Sequence, residues 1–413
     1  MDSQYDVVII GGGVIGVCSA YYLAQKGSRV LLIEKGEVAS GCSSGNGGLI
    51  VPSHAVPLAS PGALGNGLRW LLDAEGPFYI KPRLDLDLVN WLIRFTLASR
   101  QEPMMRALPA MRDLLWASRD LYDELSQIAS FGFESNGSLQ VFSTESGLKG
   151  GVEEARLLEK FDIPIQVMNA SDVCHLEPAL LPNVAGGVYY PRDARIDPFR
   201  FVTGLAERAE ELGAEILTGT EAIAFETENG KVAVIKTTRG DIHPQKVVLA
   251  AGSWSPEVAR MLKLDIPIQA AKGYSLTFEK PARSPKISLL FGEAHVVVNP
   301  LEGALRVAGT LELAGMDLSI NMRRVTAIRK AAEGYLPGLD QARVVENWRG
   351  LRPCTPDGLP IIGRCDSFAN LFLAAGHAML GMSLGPITGK LISQLVNEEK
   401  TEFKLDPFGL NRF

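Results

Sequence analysis

Asp6-Val7-Val8-Ile9-Ile10-Gly11-Gly12-Gly13-Val14-Ile15-Gly16 stands near the start of the 413-residue chain, and Arg29-Val30-Leu31-Leu32-Ile33-Glu34-Lys35 follows. The first stretch reads as an apolar strand, a glycine turn of the form G-x-G-x-x-G (Gly11, Gly13, Gly16) and a helix start. Gly11 permits a tight turn, Gly13 lets backbone N–H groups approach a pyrophosphate, and Gly16 lets the helix pack close to the strand. The helix N-terminus adds unpaired N–H groups and a partial positive charge. Glu34 ends the second strand, where a carboxylate accepts both ribose hydroxyls and repels a 2′-phosphate. A glycine turn alone is also met in ordinary βαβ units. Here strand, helix (14 to 26, closed by Gly27) and acidic strand end fall in the order a dinucleotide requires.

Working outward, the composition excludes several classes. With 46% hydrophobic and 21% charged residues the chain can bury a full core and does not read as disordered. A net charge of −6 without a basic run argues against a nucleic-acid partner. The five cysteines form no C-x-x-C, so neither zinc nor dithiol chemistry is indicated, and no metal site is expected. They fit a reducing cytoplasm better than secretion. The N-terminal apolar run lacks the basic lead of a signal peptide, and no stretch of about 18 charge-free apolar residues suggests a membrane span.

Along the chain, a small-residue loop (38 to 48) follows the first unit. Residues 57 to 130 are mostly helical in period, with apolar faces at Leu64, Leu68, Leu71 and Leu72, and at Leu88, Leu92 and Phe95 beside Trp91. Short strands are expected at 139–142 and 187–191. Asp197-Pro198 opens a helix that Gly213 closes. A strand at 214–217, a hairpin around Asn229-Gly230 and a buried strand at 246–251 follow. Residues 263 to 313 alternate as in an antiparallel sheet, a helix covers 321–335, and from Trp348 the chain is again glycine-rich. The expected architecture is α/β plus α+β. Residues 1–56, 197–262 and 348–400 build a Rossmann-like dinucleotide domain from discontinuous segments. Residues 57–196 and 263–347 build an antiparallel-sheet substrate domain with a helical insertion.

Four motifs carry a resemblance to a known family. They are Val7 to Gly16 with Glu34; Ser40-Gly41-Cys42-Ser43-Ser44-Gly45-Asn46-Gly47-Gly48; Lys272-Gly273-Tyr274-Ser275-Leu276-Thr277; and Trp348 to Gly363, including Arg352-Pro353-Cys354-Thr355-Pro356-Asp357-Gly358, completed by Gly376-His377-Ala378-Met379-Leu380-Gly381. In this order, over nearly the whole chain, the sequence resembles the FAD-dependent D-amino-acid oxidase superfamily. Within it, the chain is most similar to the bacterial D-amino-acid dehydrogenases, with glycine oxidase and sarcosine oxidase as cousins. The resemblance implies FAD held by Gly11, Gly13, Val14, Ile15, Gly16, Glu34 and Lys35 of the first unit. From the loop it implies Ser43, Ser44, Asn46, Gly47, Gly48 and Leu49. Ala222 would lie at the adenine and Ala251 and Gly252 beside the cofactor. Gly376, His377, Leu380, Gly381, Met382 and Ser383 would open a last helix whose N-terminus faces the flavin.

The same resemblance assigns Arg352 to the substrate carboxylate, a task for a bidentate, permanently charged partner. Tyr274 is the second candidate, and a core tyrosine is the alternative. Arg306 matches a dehydrogenase-type position on a sheet strand, and His54 and His377 are further candidates near the site. Two departures from the cousins matter. Leu301 or a neighbour stands where glycine oxidase carries an additional Arg, and Gly350 stands where sarcosine oxidase has its flavin-tethering Cys. The expected FAD is therefore non-covalent.

The implied reaction is oxidation of a D-amino acid to an imine, then a 2-oxo acid and ammonia, with quinone or dioxygen as the electron acceptor. Oxidation of a secondary amine or imino acid (hydroxyproline, sarcosine or glycine, an opine) is the alternative. A monooxygenase or disulfide reductase would need a second nucleotide site or a cysteine pair, and a non-enzymatic docking subunit would not need Arg352. A cluster at 62 to 97 (Trp70, Leu71, Leu72, Phe78, Tyr79, Ile80, Trp91, Leu92, Ile93, Phe95) leaves peripheral contact with the inner membrane open beside a core or homo-oligomer role.

Overall fold

The computed structural model describes residues 5–62, 65, 70 and 75–413. Two large sheets dominate. The first runs, edge to edge, Ile361–Cys365, Phe368–Ala375, Pro244–Leu249, Tyr5–Ile10, Val30–Ile33 and Glu215–Leu217, parallel except for the first of these strands. Its strands come from the beginning, middle and end of the chain. They are apolar on both sides because both faces are covered. Val7 and Ile9 pack beneath the helices Val14–Gln25, Pro198–Glu211 and Gly381–Val396. Val8 and Ile10 pack against Val232 and Ile235 of a three-stranded sheet, Ala222–Glu228, Lys231–Thr237 and Gly240–Ile242.

The second sheet runs Val344–Cys354, Gln269–Glu279, Ala304–Leu313, Val296–Leu301, Ser288–Phe291, Ser138–Phe142, Gly186–Tyr190 and Gln166–Asn169, with Phe78–Ile80 added on Ala304–Leu313. It is antiparallel apart from two pairings, Ser288–Phe291 with Ser138–Phe142 and Phe78–Ile80 with Ala304–Leu313. One face is closed by the helix Met322–Glu333 through Val325, Ile328 and Ala332. The other face meets the loop after the first βαβ unit: Ser275 Oγ donates to Gly45 O at 2.9 Å. The strand Val344–Cys354 belongs wholly to this sheet, so the segment boundary expected at 348 falls inside it.

Local signals explain most elements. Gly27 (φ 82°) follows the first helix, and Asp197 caps the helix Pro198–Glu211 by accepting from Phe199 N and Arg200 N. Asn229 and Gly230 both have positive φ, as a two-residue hairpin turn demands. In the insertion, the helices Leu86–Ala98 and Gln101–Ser126 form as expected, while the strand Phe78–Ile80 was not anticipated. Leu88 and Trp91 of the first helix are buried. The apolar face expected at Leu64, Leu68, Leu71 and Leu72 lies outside the described residues.

Candidate active site

A cavity of about 320 Å³ lies between the two sheets. The glycine turn forms one wall. Gly11 has φ 117°, and a Cβ there would stand 2.5 Å from Ala250 O. A Cβ on Gly16 would reach within 1.9 Å of Gly11 O, so both glycines are demanded by close backbone packing. At Gly13, among the described residues beyond its chain neighbours, only Ser43 Oγ would come within 4 Å of a Cβ, at 3.5 Å; what the missing side chain leaves open is the cavity.

The helix end fits a bound pyrophosphate. Val14 N donates to Ser43 Oγ at 3.1 Å, which leaves the Ser43 hydroxyl proton for an anion. The N–H of Ile15 has no protein acceptor among the described residues and lines the same space. Glu34 also lines it, its carboxylate held by Gly12 N at 2.7 Å and Gly36 N at 2.8 Å. Ala222 stands at this ribose end, and Lys35 lies over the Trp254 ring. Ala251 and Gly252 continue the wall toward Asn46, Gly381 and Met382. Gly381 and Met382 begin the last helix, so its positive end faces the cavity. These residues suit FAD.

Gly16, Ser44, Gly47, Gly48, Leu49, His54, Gly376, Leu380 and Ser383 do not line the cavity. Ser383 Oγ accepts from Val51 N and donates to Leu49 O, both at 3.1 Å. Arg306 is brought to the back of the loop rather than to the cavity. Its Nη1 donates to Ser44 O at 2.8 Å and Asn46 O at 3.1 Å, and it is buried. The Arg306 placement corrects a direct catalytic contact to a loop-holding one.

Arg352 lines the cavity. Its guanidinium lies flat over Gly273, where a Cβ would stand 2.1 Å from Nη1. That is why the Lys-Gly-Tyr motif needs its glycine. Nη1 donates to Thr310 O at 2.6 Å. Thr310 has φ 64° and sits at an irregularity where Gln269–Glu279 and Ala304–Leu313 lose register. Arg352 has no carboxylate partner among the described residues, and burial lowers its pKa from the ordinary value. A dehydrated cation without an anion is poised for an anionic ligand.

Tyr274 is not at the cavity. Arg352 pairs with Ala271, and Tyr274, three residues on, projects from the opposite face of the sheet. There it packs in the core with Val325 and Ile328, and its hydroxyl donates to Glu312 Oε2 at 2.7 Å. A strand's alternation reverses its face at odd spacings, which corrects the expected carboxylate contact.

His377 lines the cavity and is buried; its Nε2 lies 3.0 Å from Thr388 Oγ1. Burial pulls its imidazole down to about 3, so it is neutral at physiological pH. His54 keeps solvent contact, yet the protein around it dehydrates the ring enough to lower it to about 4. Cys42 lines the cavity, its thiol pushed up to about 11, and buried Cys354 is pushed up to about 12. Neither is a thiolate at neutral pH. Arg349 and Leu318 are cavity residues the sequence did not single out; Arg349 Nε donates to Leu318 O at 2.8 Å. Leu318 lies in a loop without periodicity, and only the neighbouring Trp348-Arg349-Gly350 motif pointed that way.

The family described as FAD dependent oxidoreductase matches residues 6–395. A D-amino acid dehydrogenase of Rhizorhabdus wittichii is 31% identical over 98% of this chain and 100% of its own length. One of Vibrio atlanticus is 31% identical over 99% and 100%. Among solved structures, glycine oxidase from Geobacillus kaustophilus superposes with a TM-score of 0.82 at 25% identity, covering 100% of this chain and 99% of its own. L-proline dehydrogenase from P. horikoshii shares the fold, with a TM-score of 0.77 at 22% identity over 100% and 98%. The glycine turn, the acidic strand end and the cavity thus belong to an FAD-dependent oxidoreductase, and the chain is a member of the DAO family.

Proposed function

We propose that the chain oxidises the amine of a D-amino acid to an imine, which hydrolyses to a 2-oxo acid and ammonia, and that it works as a dehydrogenase. The observation that carries this reading is Arg352, a half-buried, cavity-facing cation with no carboxylate partner among the described residues. Its planar fork suits a bidentate carboxylate, and Thr310 O and Gly273 fix its orientation. FAD, when bound, supplies the two-electron acceptor for the hydride leaving the substrate Cα. The chain contributes position: Arg352 holds the carboxylate and the last helix places its positive end beside the flavin site. Arg306 keeps the loop 44–46 in place. His377 is too acidic to serve as a base near neutrality, so the neutral substrate amine itself drives the hydride out. The dehydrogenase relatives support this substrate class.

The FAD is held without a covalent bond. A Cβ at Gly350, the tether position of sarcosine oxidase, would stand 2.1 Å from the Trp348 ring, so no cysteine fits there without rearrangement. Acid precipitation should leave the flavin in the supernatant; flavin in the pellet would overturn this. The two-domain division follows the two sheets once the boundary expected at 348 is moved past Cys354, and the acceptor is a quinone reached at a membrane surface. Among the described residues no helix is long and apolar enough to cross a membrane. The decisive experiment is anaerobic flavin bleaching with D- and L-amino acids and cyclic imino acids, followed by reoxidation with quinone or air. Bleaching by D-amino acids and fast reoxidation by quinone are expected. Bleaching by imino acids alone would move the assignment to a secondary amine.

A further inference from the structure

We propose that Leu318 is a specificity-determining residue: it stands in the mouth of the cavity on the Arg352 side and limits how large a substrate side chain can enter. This rests on the amine-oxidising reading. Most exposed residues of the cavity wall belong to its ribose end. Lys35 follows Glu34, Ser40 approaches Gly36, and Glu221 precedes Ala222. Glu257 and Met261 lie on the helix Ser255–Met261, whose Ala259 packs with Ala222. Leu318, 43% exposed, is the exception among the described residues. Its carbonyl accepts from Arg349 Nε at 2.8 Å. The next residue, Gly350, pairs with Gly273, over which the Arg352 guanidinium lies. Burial raises the Cys42 thiol, while the Leu351 backbone and the charges of Arg352 and Arg349 oppose the rise. Both guanidiniums therefore act on one cavity side chain. Val344–Cys354 is the edge strand of its sheet, so the Arg349 side chain can pass around it to the cavity. A leucine that faces both this end of the cavity and solvent stands in the opening.

The loop that carries Leu318 is pinned on both sides of it. Asp317 Oδ2 accepts from Lys81 Nζ and from Lys272 Nζ, each at 3.2 Å. Lys272 Nζ also donates to Ser319 O at 3.0 Å, and Ser319 N donates to Asp317 Oδ1 at 2.8 Å. With Arg349 on the Leu318 carbonyl, three cations hold three consecutive residues. Lys272 is only 1% exposed. Burying an ammonium is costly unless its partners are well placed, and here they are the loop's own atoms and Glu312. An obstacle fixed in this way discriminates, whereas a yielding loop tip would admit any side chain. Leucine offers no hydrogen bond, so the discrimination is by volume, and a few carbon atoms of mismatch suffice for a selective enzyme.

The holoenzyme tests this with D-alanine, D-phenylalanine and D-tryptophan as reductants, and with acetate and phenylacetate as ligands that perturb the flavin spectrum. Leu318→Ala should raise kcat/KM for the aromatic substrates relative to D-alanine roughly tenfold, and Leu318→Trp should lower the same ratio by a similar factor. The Kd ratio of phenylacetate to acetate should move in step, with FAD affinity unchanged. Asp317 does not line the cavity. Asp317→Asn loosens the loop and should shift both ratios in the direction of Leu318→Ala, through KM more than kcat. Ratios that stay fixed in Leu318→Ala and Leu318→Trp overturn the proposal, and weakened FAD binding with fixed ratios would assign Leu318 to the cofactor instead. Ratios unmoved in Asp317→Asn overturn the pinning. Absence of flavin reduction by every amino acid would refute the amine-oxidising reading, while the carboxylate ratio still decides the role of Leu318.

Discussion

At the scale of single residues, Arg352 is the strongest dependence of the site. Lysine keeps the charge but loses the fork and the bond pattern with Thr310. Arg352→Lys should retain FAD and lose about 2–4 kcal/mol of transition-state stabilisation, or about 30- to 1,000-fold in kcat/KM. Steady-state kinetics with a normal flavin spectrum measure this, and unchanged kinetics would remove Arg352 from the carboxylate role. The depressed imidazole of His377 leads to a second expectation. The pH limb of kcat/KM should follow the substrate ammonium, rising with pH, and persist in His377→Asn and His54→Asn. A limb that disappears in either variant would mean that a histidine is the base. Arg352 is legible in the sequence because a Pro-flanked Arg here belongs to a long motif, although it stands within the strand Val344–Cys354 and not after one. Tyr274 and Arg306 carry equally good motifs, but the face of a strand that looks into a cavity depends on register, which one sequence does not reveal. The hydrogen bond from Ser53 Oγ to the buried Asp193 escapes for a related reason: nothing local announces a contact across 140 positions.

At the scale of elements, the helix Leu86–Ala98 divides the apolar cluster expected at 62–97. Leu88 and Trp91 are buried, and Leu92, Phe95 and Phe78 pack against them. Leu86, Val89, Ile93 and Leu97 recur at helical spacing on the outside, with Ile93 56% exposed. Leu84, just ahead of the helix, is fully exposed too. The periodicity gave the helix but not this second stripe, because a helix apolar on two sides looks the same in sequence whether one side or both are covered. A lipid surface is the occupant that a quinone-reducing enzyme needs. Liposomes containing anionic lipid should carry the protein upward in a flotation gradient at low salt. Ile93→Ser with Leu97→Ser should abolish flotation and leave FAD content unchanged. A wild-type chain that stays at the bottom of the gradient defeats the membrane contact.

At the scale of the whole molecule, the assembly of the first sheet from the beginning, middle and end of the chain was legible from its glycine-rich segments, while its strand order and the two parallel pairings of the second sheet were not. Both sheets meet at a core that contains two buried titratable groups of opposite tendency. His377 is held near 3 when folded against an ordinary 6.5. Its contribution to stability is full above pH 6.5 and is lost as pH falls from there to about 3, because the unfolded chain then binds the proton that the folded one refuses. Asp193 is raised to about 6 from 3.8. The folded state binds its proton first, so between pH 6 and 3.8 acidification stabilises the fold through this group. The shifts correspond to about 5 kcal/mol lost and about 3 kcal/mol gained on full acidification. The two nearly cancel down to pH 4 and the histidine should win below it, so the urea midpoint should fall between pH 6.5 and 3, mostly below pH 4. Asp193→Asn removes the opposing contribution and should steepen that fall; His377→Gln should flatten it or reverse its sign. Parallel titrations in all three proteins would show the burial assignments to be mistaken.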